Sequence, residues 1–222
     1  MMLTIDRYNG TPAVKRLGRL LAEQTIKALQ SRNMNGLYFG TKEEAAQAVM
    51  DMIPEGSSVG FGGSVTLHEL GLYERILKGP YQSFNRFDST LTGPQRLEVQ
   101  RHALLADVFL SGTNAITSDG RLINIDGTGN RVAALLFGPR RVIVACGVNK
   151  IVHGLESAIS RVKERACPLN GDRLGLKTPC SLTGSCHECH HEQRMCNLLT
   201  IIEGQKDPGR FTVVFVGENL GF

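Results

Sequence analysis

The sequence predicts an α/β fold with a mostly parallel sheet and helices on both faces. Segments with strand and helix periodicity alternate along the 222 residues, and such alternation is typical of parallel sheets with crossover helices. Strand-like segments such as VIVACG and FTVVFVG are continuously apolar, as expected for strands covered on both sides. The chain is long enough to bury a core without disulfides. We therefore predict a single α/β domain spanning residues 1–222.

The helices are predicted from apolar periodicity and from capping residues. Apolar side chains between Val14 and Leu29 recur at helical spacing. Thr41 with Glu44 three residues later forms a capping box, and Thr66 with Glu69 forms a second. Further helices are predicted at 94–106, 131–137 and 155–166.

The strands are predicted from short apolar runs bounded by glycine, proline and aspartate. They are expected at 37–39, 57–61, 107–112, 121–125, 141–147, 198–204 and 211–217. After Pro168 the sequence changes to loop-forming residues, which include a cysteine-rich segment at 178–197. This segment is expected to be a loop appended to the domain.

Composition excludes several classes of function. Charged residues make up 21% and the net charge is +4 without long runs of one sign, so no basic stripe for nucleic acid is present. No apolar run reaches the roughly 18 residues needed to span a membrane. The segment MMLTIDRYNGTPAVKR has neither an apolar core nor a cleavage site of a secretory signal. A cytoplasmic protein is therefore expected.

A glycine-rich turn joins the predicted strand 57–61 to the following helix. Its residues Gly62, Gly63 and Ser64 let the backbone approach a ligand closely, and free N–H groups at a helix start favour anions. The turn matches neither a phosphate-binding P-loop nor the dinucleotide fingerprint. A tight strand-to-helix turn without a ligand remains the alternative.

A second polar, glycine-rich stretch runs from residue 111 to residue 131. Loops at the carboxyl ends of parallel strands are where open α/β sheets place their ligands. Small polar groups with the guanidinium of Arg131 suit a small molecule that carries a carboxylate or phosphate, although some of these residues also make turns. The candidate ligand-binding residues here are Thr113, Asn114, Asp126, Gly127, Gly129, Asn130 and Arg131.

Four cysteines fall within seventeen residues, CSLTGSCHECHHEQRMC. Disulfides are disfavoured in a reducing cytoplasm, which leaves a metal centre or a redox thiol site. Four closely spaced thiols favour a metal, with sulfurs about 2.3 Å from it, and either zinc or an iron–sulfur cluster uses such ligands. The predicted ligands are Cys180, Cys186, Cys189 and Cys196. Cys146 lies within the apolar segment VIVACG and is therefore assigned to core packing.

Four stretches in order, VGFGGSVTLHELG, GTNAITSDGRLINIDGTGNRVAALLFGPRRVIVACGVNKIV, TPCSLTGSCHECHHEQRMCN and VGENLGF, resemble the lactate-utilisation (LUD) domain family, in its short cysteine-bearing bacterial form. The resemblance implies a fold like the ribose-phosphate isomerase and CoA-transferase superfamily. It also implies a redox accessory role in lactate or organic-acid utilisation, with a 4Fe–4S cluster and zinc as the alternative. The expected partners are a small anionic metabolite, other lactate-utilisation proteins and a second copy of the chain.

The competing interpretation is a non-enzymatic binding or regulatory module with a structural zinc. No catalytic residue is assigned. The glycine-rich stretch is also similar in layout to sugar-phosphate isomerases related to initiation factor 2B, whose general acid would fall on Asn114. An amide cannot transfer a proton near neutral pH, so we predict no isomerase activity on sugar phosphates.

Overall fold

The computed structural model describes residues 10–222, and its centre is a six-stranded sheet. The described residues form strands in two sheets, which are numbered together in chain order: β1 (Asn35–Phe39), β2 (Ser58–Phe61), β3 (Gln82–Phe84), β4 (Val108–Gly112), β5 (Ala115–Thr117), β6 (Leu122–Asp126), β7 (Arg141–Gly147), β8 (Ile151–Val152), β9 (Leu198–Ile202) and β10 (Phe211–Val216). The main sheet has the order β1-β10-β7-β4-β2-β3, and every neighbouring pair in it is parallel.

A smaller sheet of order β8-β5-β6-β9 packs beside the main one. Its β5 and β6 form an antiparallel hairpin, and β9 pairs antiparallel with β6 so that Leu198 lies opposite Asp126. Gly120 in the hairpin turn has a φ of +88°, which glycine adopts without strain. The short strands β3, β5 and β8 were not predicted from the sequence, because two or three residues carry too little periodicity.

Helices cover both faces of the main sheet, which confirms the predicted fold class. They are α1 (Pro12–Gln30), α2 (Lys42–Asp51), α3 (Val65–Glu69), α4 (Leu72–Lys78), α5 (Gly93–His102), α6 (Asn130–Leu136), α7 (Gly154–Arg161), α8 (Cys167–Arg173) and α9 (Pro179–Thr183). Alternate residues of each central strand face opposite cores. Leu110 and Val214 pack with α2 to α4, whereas Phe109 and Phe215 pack with α1, α6 and the smaller sheet.

The first predicted capping box is confirmed and the second is wrong. The Thr41 hydroxyl accepts a hydrogen bond from the Glu44 amide, and the Glu44 carboxylate accepts from the Thr41 amide. The cap of α3 is instead Ser64, whose hydroxyl accepts from the Leu67 amide. Thr66 lies inside the helix and is completely buried. The helix therefore begins two residues earlier than predicted, and the Gly62–Ser64 turn joins the end of β2 directly to α3.

The predicted change to loop after Pro168 is also wrong. Helix α7 continues through a π-helical turn at 162–166 into α8, which ends at Arg173. Pro168 lies directly after the π turn inside this continuous helix, where proline removes one backbone hydrogen-bond donor. A π turn also changes which carbonyl lies beneath the proline ring. The continued helix brings Cys167 beneath the cysteine-rich segment.

The cysteine-rich segment 178–197 lies between α8 and β9, before the last two strands, as the predicted order of elements has it. It begins with the short helix α9, and the rest has little regular structure. Within residues 10–222, no helix is both long enough and apolar enough to cross a membrane.

Candidate functional site

Five cysteines line one small cavity between α8 and the cysteine-rich segment. The four predicted from sequence, Cys180, Cys186, Cys189 and Cys196, are joined there by Cys167, and the cavity volume is about 20 Å³. Cys167 was missed because its position depends on the continuation of α7 into α8. A wider depression of about 330 Å³ lies between α2 and α4 and has no thiol in its lining.

Positively charged side chains hold the thiol-bearing loop together. Arg194 donates hydrogen bonds to the carbonyl oxygens of Cys189 and Cys196, and Lys163 forms an ion pair with Glu188. The Cys196 thiol raises the pKa of Arg194, and hydrogen bonding to Glu188 raises the pKa of Lys163. These contacts fix the loop backbone at Cys189 and Cys196 and fasten Glu188 to the π-helical turn that contains Lys163.

The potential metal ligands at the cavity differ in burial and in hydrogen bonding. Burial, then the neighbouring Cys196, raises the pKa of the Cys167 thiol to about 12. His187, which also lines the cavity, has its Nε2 2.7 Å from the Thr183 hydroxyl. In the part of the chain that the structure describes, no three cysteine, histidine or carboxylate side chains are arranged so that they could hold a metal ion. Metal binding at this cavity therefore requires the loop to draw its thiols closer together.

The cysteine-rich segment is joined to the predicted ligand-binding loop that follows β6. The Asn197 backbone amide donates to the Asp126 carbonyl at 3.0 Å, and its side-chain amide donates to the Gly127 carbonyl at 3.2 Å. Met195 covers Gly127 closely: a Cβ at Gly127 would lie 3.4 Å from the Met195 backbone. Order in one loop therefore supports order in the other.

Arg131 is a buried scaffold residue, which corrects the expectation that its guanidinium is free to receive a ligand. Its side chain is 8% exposed. Its Nε donates to the Asp126 carboxylate at 3.4 Å, and its Nη2 donates to the Asn114 side-chain oxygen at 2.9 Å. Further acceptors are Asn124 and the carbonyls of Gly112 and Ile125. All five N–H donors are engaged within the protein.

The other predicted residues of this stretch are largely engaged with each other. The Asp126 carboxylate accepts from the Arg131 backbone amide, and the Asn114 oxygen accepts from the Ile125 amide at 3.0 Å. Structural bonds of the same kind hold Thr113 to the Ala115 carbonyl and Asn130 to Thr128. Gly129 starts α6 with a φ of +92°. These residues shape the loop, and their binding role stays a prediction.

The Gly62–Ser64 turn packs directly on Arg131, as expected from both lying at one edge of the sheet. A Cβ at Gly62 would lie 2.8 Å from Arg131 Cγ. The Gly62 amide donates to the Leu110 carbonyl and the Ser64 amide donates to the Tyr73 hydroxyl. Two of the three predicted anion-binding amides are therefore engaged within the protein.

A further arginine, not identified from the sequence, lies over the same turn. Arg86 follows the carboxyl end of β3, and its Nη2 would lie 2.6 Å from a Cβ at Gly63. Its carbon Cζ is 4.7 Å from the centre of the Phe87 ring. The Nε of Arg86 is buried and has no hydrogen-bond acceptor among the described residues. Burial lowers its pKa.

Other cations gather at this edge of the main sheet. Lys150 follows β7, is 4% exposed, and donates to the Thr66 hydroxyl at 3.0 Å. Arg161 donates to the Asn149 and Asn114 carbonyls. Burial lowers the pKa of both side chains, to about 8 for Lys150. The edge is therefore electropositive beneath the Gly62–Ser64 turn.

Burial of Lys150 predicts a specific pH dependence of stability. Its pKa falls from 10.5 to about 8 on folding, so between these values the unfolded chain binds the extra proton and stability rises with pH. The raised pKa of Cys146, about 11 instead of 9.0, acts oppositely above pH 9. From pH 8 to 9, unfolding in urea should show the wild type gaining roughly 1 kcal/mol over Lys150→Met.

The matched control is Lys78→Met, because the Lys78 side chain is 80% exposed. It should follow the wild type across the same interval. Equal slopes for the wild type and Lys150→Met would contradict the burial of a lysine with a lowered pKa.

Comparison with known proteins supports the fold and identifies a family. The sequence model described as the LUD domain matches residues 22–216. The crystal structure of a DUF162 family protein from Deinococcus radiodurans is similar, with a TM-score of 0.52 and 15% identity, over 90% of this chain and 98% of that chain. The crystal structure of eIF2B beta from Chaetomium thermophilum is 18% identical over 52% of this chain and 44% of that chain, at a TM-score of 0.37. No curated protein sequence matches the chain significantly.

Proposed function

The chain belongs to the LUD domain family, and from this premise we propose that it is a cytoplasmic redox accessory protein of bacterial lactate or organic-acid utilisation. In this proposal it holds a metal centre on cysteine thiolates and binds a small anionic metabolite at the neighbouring glycine-rich loops. The observation that supports it best is the convergence of five thiols on one cavity beside β6.

The donor set suits an iron–sulfur cluster. Four thiolates are the usual ligands of a 4Fe–4S centre, and here Cys180, Cys186, Cys189 and Cys196 lie on a short loop that leads straight into β9. When bound, such a cluster supplies one-electron transfer. The protein's own residues would keep the thiols clustered: Arg194 by its bonds to two cysteine carbonyls, and α8 by covering the cavity from below.

The position of the centre links it to the anion site. Ile125 lines the cysteine cavity, while the next residue, Asp126, binds Arg131 beneath the Gly62–Ser64 turn. The end of β6 therefore contributes to both sites, so a ligand at the glycine-rich loops would lie close to the cysteine cavity. Other lactate-utilisation proteins, which exchange electrons, are the proposed partners, and self-association is part of the same proposal.

A structural zinc is the second candidate, and the size of the cavity favours it. A volume of about 20 Å³ holds roughly one water-sized particle, so a single ion fits with a smaller change of the loop than an eight-atom cluster needs. Zinc is bound tetrahedrally by four thiolates and has no redox chemistry. In that case the protein is a small-molecule-binding module whose metal fixes the loop.

Anaerobic purification followed by iron, sulfide and zinc analysis tests the proposal. Brown protein that absorbs near ~400 nm is expected if the cluster is present. Colourless protein with one zinc per chain would replace the redox role by the structural alternative. Protein with neither metal, in which all the loop thiols react freely with a thiol reagent, would overturn both.

A further inference from the structure

Arg86 is the strongest candidate for an anion receptor at the carboxyl edge of the main sheet. Its guanidinium lies against the Gly62–Ser64 turn, and its Nε is buried without an acceptor among the described residues. A buried donor left without an acceptor is unfavourable, because it loses the hydrogen bonds to water that it makes in the unfolded chain. An oxyanion would instead be received by the terminal nitrogens Nη1 and Nη2, because arginine presents its donors as a planar fork that matches carboxylate and phosphate.

The surroundings of Arg86 hold it in place. Phe87 packs its ring under the guanidinium at 4.7 Å, and Tyr73 meets that ring edge-on with centroids 5.4 Å apart. The Tyr73 hydroxyl in turn donates to the Gly62 carbonyl at 2.8 Å and accepts from the Ser64 amide. The side chain is thus fixed on a scaffold formed by the turn itself.

Charge at this edge favours an anion. Arg131 is close enough to Arg86 to oppose its charge, while the Asp126 carboxylate partly offsets it. The five donors of Arg131 are all bound within the protein, and Asp126 is shared with it. Arg86 is therefore the arginine of this pair that has donor capacity for a ligand.

Gly63 allows this arrangement. A side chain at position 63 would meet Arg86 Nη2 at 2.6 Å, so a glycine is what lets the guanidinium lie on the turn. The backbone of Gly63 is not in the left-handed region, so alanine is conformationally permitted there. The collision is with the far end of a flexible side chain, which can move.

From these observations we infer that Arg86, resting on Gly63, is the residue that receives the oxyanion of a small carboxylate- or phosphate-bearing ligand. The inference deepens the proposed function, on whose anionic ligand it rests, and moves the receptor from Arg131 to Arg86. Arg131 positions the turn from below, and Arg86 contacts the ligand from above.

Calorimetric titration of the full chain with sodium phosphate and, separately, with sodium L-lactate at constant ionic strength tests the inference. The wild type is expected to bind one of them at millimolar concentrations, and which one it binds decides between phosphate and carboxylate. Arg86→Met should weaken that binding about 10- to 100-fold. Arg86→Lys should retain only part of it, because lysine lacks the planar fork.

Gly63→Ala provides a second test that removes no charge. Its methyl group displaces the guanidinium, so binding should weaken while the unfolding temperature stays near that of the wild type. Gly93→Ala is the matched control, since a Cβ there meets nothing within 4 Å. In a ¹⁵N spectrum of the wild type, the Arg86 Nε–H signal should shift as the anion is added.

The outcomes separate this inference from the proposed function. Anion binding that persists unchanged in Arg86→Met and Gly63→Ala would overturn the assignment of Arg86 alone. A wild type that binds neither anion would overturn both the assignment and the metabolite-binding part of the proposed function. The metal analysis is independent of either result.

Discussion

Replacing Cys186 by serine is expected to abolish metal binding and to loosen the loop 178–197 while the main sheet stays folded. The thiol is one of those lining the cavity, and a serine hydroxyl is a much poorer ligand for a soft metal site. The loop has little apolar content of its own, so the proposed metal would add to the order that its hydrogen bonds provide. The core around the sheet is separate and extensive.

Metal analysis and hydrogen exchange measure the two parts of this expectation. Iron or zinc content should fall to background, and exchange should rise in 178–197 but not in β7 or β10. Cys146→Ala is the control, because Cys146 is completely buried in the core beneath the sheet and lies outside the cavity lining. Full metal content in Cys186→Ser, or loss of metal in Cys146→Ala, would contradict the assignment.

Replacing Arg131 by methionine is expected to destabilise the fold by about 3–5 kcal/mol, the usual cost of removing one member of a buried ion pair. The change leaves the Asp126 carboxylate, which is 15% exposed, without its cation. It also removes the donors that satisfy Asn114 and Asn124. Chemical denaturation of the two proteins at the same pH measures the difference.

Arg121→Met is the matched control for this large effect. Arg121 also pairs with carboxylates, those of Asp119 and Glu203, but all three side chains are more exposed. Surface pairs contribute at most about 1 kcal/mol. Should Arg131→Met lose no more stability than Arg121→Met, the buried network would not be the scaffold of the loop.

The main sheet could be predicted from sequence because its strands are long and continuously apolar. Strands such as β7 and β10 have a local pattern that only a strand covered on both faces satisfies. The capping box of α2 could also be predicted from the sequence, because Thr41 and Glu44 are only three residues apart. By contrast, Ser64 and Thr66 both have hydroxyls near the start of α3, and only the packing of Thr66 against Lys150 decided which one caps it.

Most of the cysteines of the candidate site could likewise be predicted from the sequence, and one could not. Cys180, Cys186, Cys189 and Cys196 were found because thiols clustered in sequence remain clustered on any short loop. Cys167 could not be found, because it reaches the cavity only through the π turn that carries the helix past Pro168.

The sequence by itself therefore determined the α/β class, the cysteine cluster and the two glycine-rich turns, since each depends on residues close together in the chain. The tertiary structure decided which arginine lies free at the turn. The local sequence does not distinguish Arg86 from Arg131. They differ because β6 surrounds Arg131 with acceptors, while the end of β3 places Arg86 over Gly63, with no acceptor for its Nε in residues 10–222. Hydrogen-bond satisfaction is a property of the whole packed neighbourhood, which local pattern does not contain.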